Sequence, residues 1–309
     1  MRRTIGPVLT GAAAFLLITG ALLHFYVAPR MTRAPANVYA VTTMRAENAT
    51  YLDASTAKVR TGATVTSTTT VRGDPAAGHG RIAVWESFTA TQDLANDTTL
   101  SYARDRIAFD RSSAQLVNCC DASIDGHTGV PMSGIGKFWP MNVEKKTYML
   151  FDIPTQRAWP VTYQGEERVG GLRTYRFVQR VPDTIAPGEV PAVPASMLGM
   201  KGNAPTPVQR HHQGEATYWI DPRTGAPVNV RQKVHSTLVA KQGPGRLVVA
   251  DMDLRMTEDG RRKALAQAKN GRWGLLALTT LAPIACLLLG LALLATALIT
   301  ARTRTPHRH

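Results

Sequence analysis

The chain has 309 residues, 36 Lys and Arg against 22 Asp and Glu, a net charge of +14 and only three cysteines. All 22 acids lie between residues 31 and 270 beside 29 of the bases, so that segment carries +7 and the rest of the charge flanks two apolar ends. Nucleic acid is therefore set aside as a partner, because basic residues next to apolar runs are explained by anionic lipid headgroups.

The first element is apolar. From Thr4 to Pro29 there is no charged residue, and "IGPVLTGAAAFLLITGALLHFYVA" exceeds the about 20 residues needed to cross a bilayer. A signal peptide would stop after roughly 7–15 apolar residues and a small-residue cleavage site, so the run reads as an uncleaved transmembrane helix within residues 1–30. The matching run at the other end, Trp273 to Thr300, holds 28 uncharged residues and lies within residues 271–309, which close on the basic tail "ARTRTPHRH". The first helix usually dominates orientation, so both tails are read as cytoplasmic and residues 31–270 as extracytoplasmic, although the count of basic residues across the second span points the other way.

Residues 31–270 read as one antiparallel β-rich domain. The strand-like phrases are "TVTSTTTVRG", "RIAVWESFTATQ", "TLSYARDRIAFD", "KKTYMLFDI", "RVGGLRTYRFVQRV", "EATYWID", "PVNVRQKVHSTLVAK" and "GRLVVADMDLRMTE". "GDPAAGHG", "QGEE" and "DPRTGAP" supply turns, and "FDRSSAQLV" repeats the hairpin idea of "YWIDPRTGAPVNVRQ". A short helical piece is allowed near "NATYLDAST". The phrase around Asp221 resembles those of lipoprotein carriers that fold an open half-barrel around a lipid pocket. Several strands place apolar residues on both faces, around Trp85, Met149 and Val248, and so need cover on both sides from sheet closure, a second sheet or an apolar ligand.

Residues 184–214 interrupt the pattern with five prolines and an apolar knot, "SMLGM". A loop of this length serves as a lid, a binding loop or a mobile excursion, and Met197, Leu198 and Met200 are the residues that would contact lipid or cover a pocket mouth. His211 and His212 are taken as solvated loop residues, and their adjacency would send them to opposite faces of a strand, which disfavours shared metal ligation.

Catalytic phrases are missing. "PMSGIGK" lacks the first glycine of a phosphate loop, which would fall at Pro131, and there is no H-E-x-x-H, G-x-S-x-G or G-x-G-x-x-G. The expectation is a non-enzyme without cofactor or metal.

Cys119 and Cys120 are adjacent, and Cys286 lies in the second apolar run. Adjacent Cα atoms sit about 3.8 Å apart across a trans peptide, whereas ordinary disulfides prefer about 4.4–6.8 Å. An extracytoplasmic site is oxidising, so a strained vicinal disulfide and two buried thiols used as small apolar residues both stay open.

"QLVNCCDASIDG", "WPMNVEKKTYMLFD" and "GEERVGGLRTYRFVQRVP", bounded by terminal spans, resemble the actinobacterial porin PorA family of two-span envelope proteins. The resemblance covers nearly the whole chain. It implies a cell-envelope protein, with channel formation attributed to at least one member. A transmembrane barrel would need a lipid-facing apolar band, while many strands here carry charge on both faces. The expected function is therefore binding or passing apolar envelope molecules, with membrane lipids as partners. A channel made by a homo-oligomer and a ligand-free scaffold are the alternatives.

Overall fold

The protein is described by a computed structural model covering residues 5–302; Arg2, Arg3 and the basic tail from Thr303 lie outside the described residues. The chain divides into a helical unit made of the two apolar ends and a second unit, Ala34–Ala268.

In the helical unit, α1 (Ile5–Leu22) continues through a π-helical turn, Leu23–Val27, into α2 (Ala28–Met31). At the far end of the chain, α3 (Glu258–Leu276), a second π turn at Ala277–Leu281 and α4 (Ala282–Arg302) form one long helix. Two helices, Pro7–Met31 and Glu258–Thr300, are long and apolar enough to cross a membrane. A π turn precedes a proline in both, Pro29 and Pro283, where the missing N–H removes a helical bond. α1 and α4 pack antiparallel through small residues. A Cβ on Gly20 would meet Cys286 Cβ at 3.2 Å, and one on Gly290 would meet Leu17 at 2.9 Å. Such close approach is how apolar helices associate where lipid offers no hydrophobic driving force.

The second unit is built from β1 (Tyr39–Asp53), β2 (Lys58–Gly73), β3 (Ile82–Asp93), β4 (Thr98–Asp110), the short β5 (Leu116–Val117), β6 (Ser123–Ile124) and β7 (His127–Thr128), then β8 (Tyr148–Asp152), β9 (Arg157–Val169) and β10 (Leu172–Ile185). After a small hairpin of β11 (Val193–Pro194) and β12 (Pro205–Thr206) come β13 (Val208–Ile220), β14 (Pro227–Ala240) and β15 (Arg246–Met256). All but β11 and β12 join one antiparallel sheet in the order β7-β6-β4-β3-β2-β1-β15-β14-β13-β10-β9-β8, with β5 also on β4. Most neighbours are hairpins, and the pairing of β1 with β15 joins the first strand to the last.

The sheet curls and closes. Leu116 N–H donates to Gly134 O at 2.8 Å, Ile135 N–H to Met149 O at 2.7 Å, and Phe151 N–H to Ile135 O at 2.9 Å, so Gly134 and Ile135 bridge β5 to β8. Gln179 on β10 reaches over β9 to donate to Leu150 O on β8 at 2.7 Å, which requires a concave face. Sheet closure thus buries Trp85, leaves Val248 half-buried and leaves Met149 exposed, so only part of the two-sided apolar pattern is covered. Trp139, Tyr148, Leu150, Val161, Phe177 and Ile220 form one core there, and Trp85, Ile107, Phe109 and Met132 another. Ile135, Trp139 and Val143 enter these cores from the segment between β7 and β8, which plugs the end where the chain enters and leaves the sheet.

One turn recurs five times. Asp53, Asp93, Asp110 and Asp152 end strands and Asp221 follows one, and each accepts a backbone N–H two or three residues on: Ser55, Ala95, Ser112, Thr155 and Thr224 respectively, at 2.9–3.1 Å. The fifth residue of each phrase, Ala57, Asp97, Ala114, Gln156 or Gly225, has φ between 48° and 72°. The carboxylate replaces the turn's missing backbone partners and the left-handed residue turns the chain back into the next strand.

Several expectations are corrected. "NATYLDAST" is not helical: Asn48 (φ 57°) sits at a bulge inside β1, whose pairing with β2 supersedes local helix propensity. "QGEE" lies within β9, where Gly165 makes a bulge against β10 instead of a turn. The interruption 184–214 is shorter, because Thr184 and Ile185 end β10 and residues 208–214 begin β13. Residues before the second span are helical from Glu258: Thr257 Oγ1 accepts the Gly260 N–H, and Leu265 and Ala268 pack on Leu172 and Val228.

Candidate functional site

The inner and outer faces of the sheet differ sharply. On the outer face, Arg180 pairs with Glu215 at 3.0 Å across β10 and β13, and Lys233 on β14 approaches the same Glu215 at 3.6 Å. Asp253 on β15 holds Arg231 and Arg255 at 2.6 and 2.8 Å. Arg176 on β10 pairs with Glu167 on β9 at 2.8 Å. On the inner side, beside the plugging segment, Glu166 holds Arg173 and Lys145 at 2.6 and 2.7 Å, and these bonds pull its carboxyl down to about 2.

The concave face combines apolar cores with hydroxyls and a few matched charges. Ser67 meets Thr91 at 3.2 Å and Thr69 meets Thr89 at 2.9 Å, so the threonine-rich phrase of β2 satisfies its own side chains across the ladder. Lys137, from the plugging segment, donates to Asp105 Oδ1 at 2.6 Å and to Ser87, a buried cluster on β3 and β4.

At the opposite end of the sheet from the plug, β13 alternates Val208, Arg210 and His212 toward the concave face, in register with Ala240, Leu238 and Ser236 of β14. His212 is buried, with Nδ1 3.1 Å from Ser236 Oγ. Burial, with a smaller push from Arg210 and against the pull of Asp152, holds its imidazole below the ordinary value. Asp152 lies on β8, three strands from β13, so this influence also crosses the concave face. Burial likewise raises Tyr218, with Asp152 adding to it. His211 faces outward and meets Asp183 at 2.8 Å. The two histidines are therefore strand residues on opposite faces, and the expectation of a solvated loop fails for His212. Among the described residues no cluster of His, Cys, Asp and Glu is arranged to hold a metal.

The proline-rich excursion, residues 186–207, is ordered by β11, β12 and a 3-10 turn, Ala195–Leu198, that ends on Gly199. Of the three apolar residues singled out in "SMLGM", Leu198 and Met200 come together over Val208, Leu238 and Ala240. Met197 is half-buried and stands outside that cluster. The loop covers the concave mouth at this end.

Cys119 and Cys120 lie far along the sheet from this mouth, in the turn between β5 and β6. Their Cα atoms are 3.8 Å apart, with the two Sγ atoms at bonding range. Cys120 and Asp121 have φ of 59° and 58°, and Arg106 Nε donates to Cys120 O at 3.1 Å. Both cysteines are half-buried and line a cleft of about 350 Å³ with Asn118, Ala122, Val130 and Pro131. Cys286 belongs to the helical unit, against Gly20.

The porin PorA family profile matches residues 5–299, from the first apolar helix through nearly all of the second. The chain belongs to the porin PorA family. A search of curated proteins found no relative. This PorA-family chain is thus a porin-like envelope protein, mainly antiparallel β, with two helices long and apolar enough to span a membrane. Its outer wall carries ion pairs on β10, β13, β14 and β15, beside exposed apolar residues such as Phe88 and Tyr102. The sequence pattern had marked Leu198 and Met200 but missed Arg210 and His212, whose alternation with Val208 becomes visible only when β13 is started at Val208.

Proposed function

We propose that this chain is a helix-anchored envelope protein, both tails cytoplasmic, whose extracytoplasmic β domain binds or passes apolar envelope molecules along its concave face. One observation carries the reading: behind a wall with charge pairs on its outer face lie apolar cores, and the mouth is covered by an apolar cluster of Leu198 and Met200 on Val208, Leu238 and Ala240. A water-filled pore has the opposite requirement, a polar interior along its length. The antiparallel packing of α1 on α4 supports two crossings with both ends on one side.

The family name favours a second reading, ion or solute conduction by an assembly of several chains. The decisive experiment uses the full chain purified in a non-ionic detergent. Saturable binding of a fluorescent acyl probe, and lipid recovered by mass spectrometry from purified protein, are expected. Conductance steps in planar bilayers with no bound acyl probe would replace this reading by the channel. Neither signal would leave the scaffold.

A further inference from the structure

At the plugged end the β domain carries a groove of about 680 Å³. Stretches far apart in the chain line it: the turn 112–115, residues 133–134, the loop 140–144 and residues 146–149 at the start of β8. Each wall is fixed by its own backbone. The Ser112 and Ser113 N–H groups both donate to Asp110 Oδ1 at 2.9 Å. Asn142 N–H donates to Arg223 O at 3.1 Å, Val143 N–H to Pro222 O at 2.7 Å, and Glu144 N–H to the Tyr148 hydroxyl at 2.9 Å. On the floor, Ile135 N–H donates to Met149 O at 2.7 Å, and Gly134, with φ 75°, has no room for a Cβ against that carbonyl. A groove so held is shaped before a ligand arrives, which spares the ligand the cost of ordering loops.

The walls are committed, and their side chains are not. Among the described residues, Ser112, Gln115, Ser133, Asn142 and Thr147 make no side-chain hydrogen bond within the protein, and all five face solvent. Hydroxyls and amides both donate and accept. The charged side chains that line the groove, Glu144 and Lys146, neutralise each other at 3.0 Å, so the groove offers no net charge to an ion. Pro140, Met141 and Met149 set apolar surface between the polar groups. The matching ligand is uncharged and presents hydroxyls that donate and accept, with C–H faces between them, which is the chemistry of a saccharide. An extended peptide would be held chiefly by main-chain bonds along a strand edge, and Ile135 already occupies that edge of β8.

We propose that this groove binds a neutral saccharide, with Gln115, Ser133, Asn142 and Thr147 bonding its hydroxyls and Met141 and Met149 lying against its C–H face. Its volume falls within the range of roughly 300–1,000 Å³ typical of small-molecule sites. The groove shares no residue with the Leu198 and Met200 cluster, so this inference stands or falls apart from the apolar ligand of the concave face.

The test uses the full chain in a polyoxyethylene detergent, which carries no sugar. Calorimetry compares three neutral trisaccharides (maltotriose, mannotriose and arabinotriose) with trigalacturonate and a tetraserine peptide. The expected result is saturable binding of at least one neutral trisaccharide, about tenfold or more tighter than trigalacturonate or the peptide. Hydrogen exchange should slow at residues 112–115 and 140–149 when that sugar is bound. Gln115→Ala and Thr147→Val should each weaken it about twofold to tenfold, the scale of one neutral hydrogen bond. Ser133→Trp, which fills the groove from an exposed position, should abolish it, with urea midpoints verifying that each variant is folded. No binding of any neutral trisaccharide, or binding that survives Ser133→Trp, overturns the site. Trigalacturonate bound as tightly as the best neutral sugar overturns the neutral class, and tighter binding of tetraserine makes the groove a peptide site instead.

Discussion

Lys137 Nζ lies 2.6 Å from Asp105 Oδ1, an ion pair that fastens the plugging segment to the inside of the sheet wall. The Asp105 side chain is almost fully buried, and its other oxygen accepts the Ser87 hydroxyl at 2.6 Å. Removing one partner of such a pair strands a buried charge, which costs about 3–5 kcal/mol, whereas replacing both by apolar groups is often close to neutral. Lys137→Met should therefore destabilise the β domain by about 3 kcal/mol, and Lys137→Met with Asp105→Val should recover more than half of that loss. Urea unfolding followed by tryptophan fluorescence measures both. A double variant no more stable than the single would show that the pair is held by packing around it and not by charge.

Acid should loosen the fold in two stages. The imidazole of His212 is depressed in the folded state, so its neutral form is favoured and stability is lost as pH falls below the unfolded value of about 6.5. That stage costs at most about 1.4 kcal/mol for each pH unit. The second stage belongs to carboxyls. Bonds from Ser55, Thr56 and Arg60 lower Asp53, and bonds from Asn96 and Tyr51 lower Asp93 against the opposing effect of its burial. Arg231 brings Asp253 down to about 2. For each, stability is present above the unfolded value of about 3.9 and disappears as pH falls through the folded one. Denaturation midpoints should decline gently from pH 6.5 to 4 and steeply below, and His212→Gln should remove the first decline. A midpoint flat from pH 7 to 3 would contradict both assignments.

For the adjacent cysteines, the expected state outside the cytoplasm is a bridged ring. A non-reduced peptide spanning Cys119 and Cys120 should then be lighter by about two mass units than its reduced form and resist alkylation. Cys119→Ser should cost little stability, because a ring this small removes almost no chain entropy from the unfolded state. The left-handed backbone at Cys120 and Asp121 would persist through the Arg106 bond to Cys120 O and the Ala122 N–H bond to Cys119 O that closes the turn. Two freely alkylated thiols in protein taken from its native membrane would leave them as small apolar side chains.

The apolar ends and most long strands were legible because their signals are local: uncharged length for the helices, β-branched runs for β2, β3, β4, β14 and β15. The hairpin phrase was only half seen. "DPRTG" and "DRSS" stood out by proline, glycine or serine, while "DAST", "DLAN" and "DIPT" use the same Asp with Ala57, Asp97 and Gln156 in the left-handed position, where a glycine would have announced the turn. β1 and β9 were missed because a bulge at Asn48 and another at Gly165 break their alternation. Closure through Ile135 could not be read at all, since a single bridge between distant segments leaves no periodicity.

Topology has a direct check. Ser67 lies in β2 of the β domain, and Thr303 follows the second apolar helix. With Cys119, Cys120 and Cys286 accounted for by single-cysteine controls, a cysteine at an exposed position beside Ser67, such as Arg72, should react with a membrane-impermeant maleimide on cells stripped of outer barriers. One at Thr303 should react only after permeabilisation. The inverse pattern would put the β domain in the cytoplasm and remove the oxidising environment that the cysteine bridge needs.

Gly245 immediately precedes the last strand, beneath the loop that covers the mouth. A Cβ there would stand 2.9 Å from both Leu198 Cβ and Met200 Sδ. Met200 can swing aside, but Leu198 Cβ is fixed to the 3-10 turn, so a side chain at 245 has to lift the loop. Gly245→Val should therefore expose residues 186–207 to proteolysis and cost about 1–3 kcal/mol, the usual range for overpacking. If the loop guards the concave face, the same variant should also speed both association and release of an acyl probe. A polar residue at 198 should weaken probe binding more than one at 197, because Leu198 packs in the cluster and Met197 does not. Faster proteolysis with unchanged probe kinetics would mean that the loop merely buttresses β14 and β15, and entry would have to be sought elsewhere on the sheet.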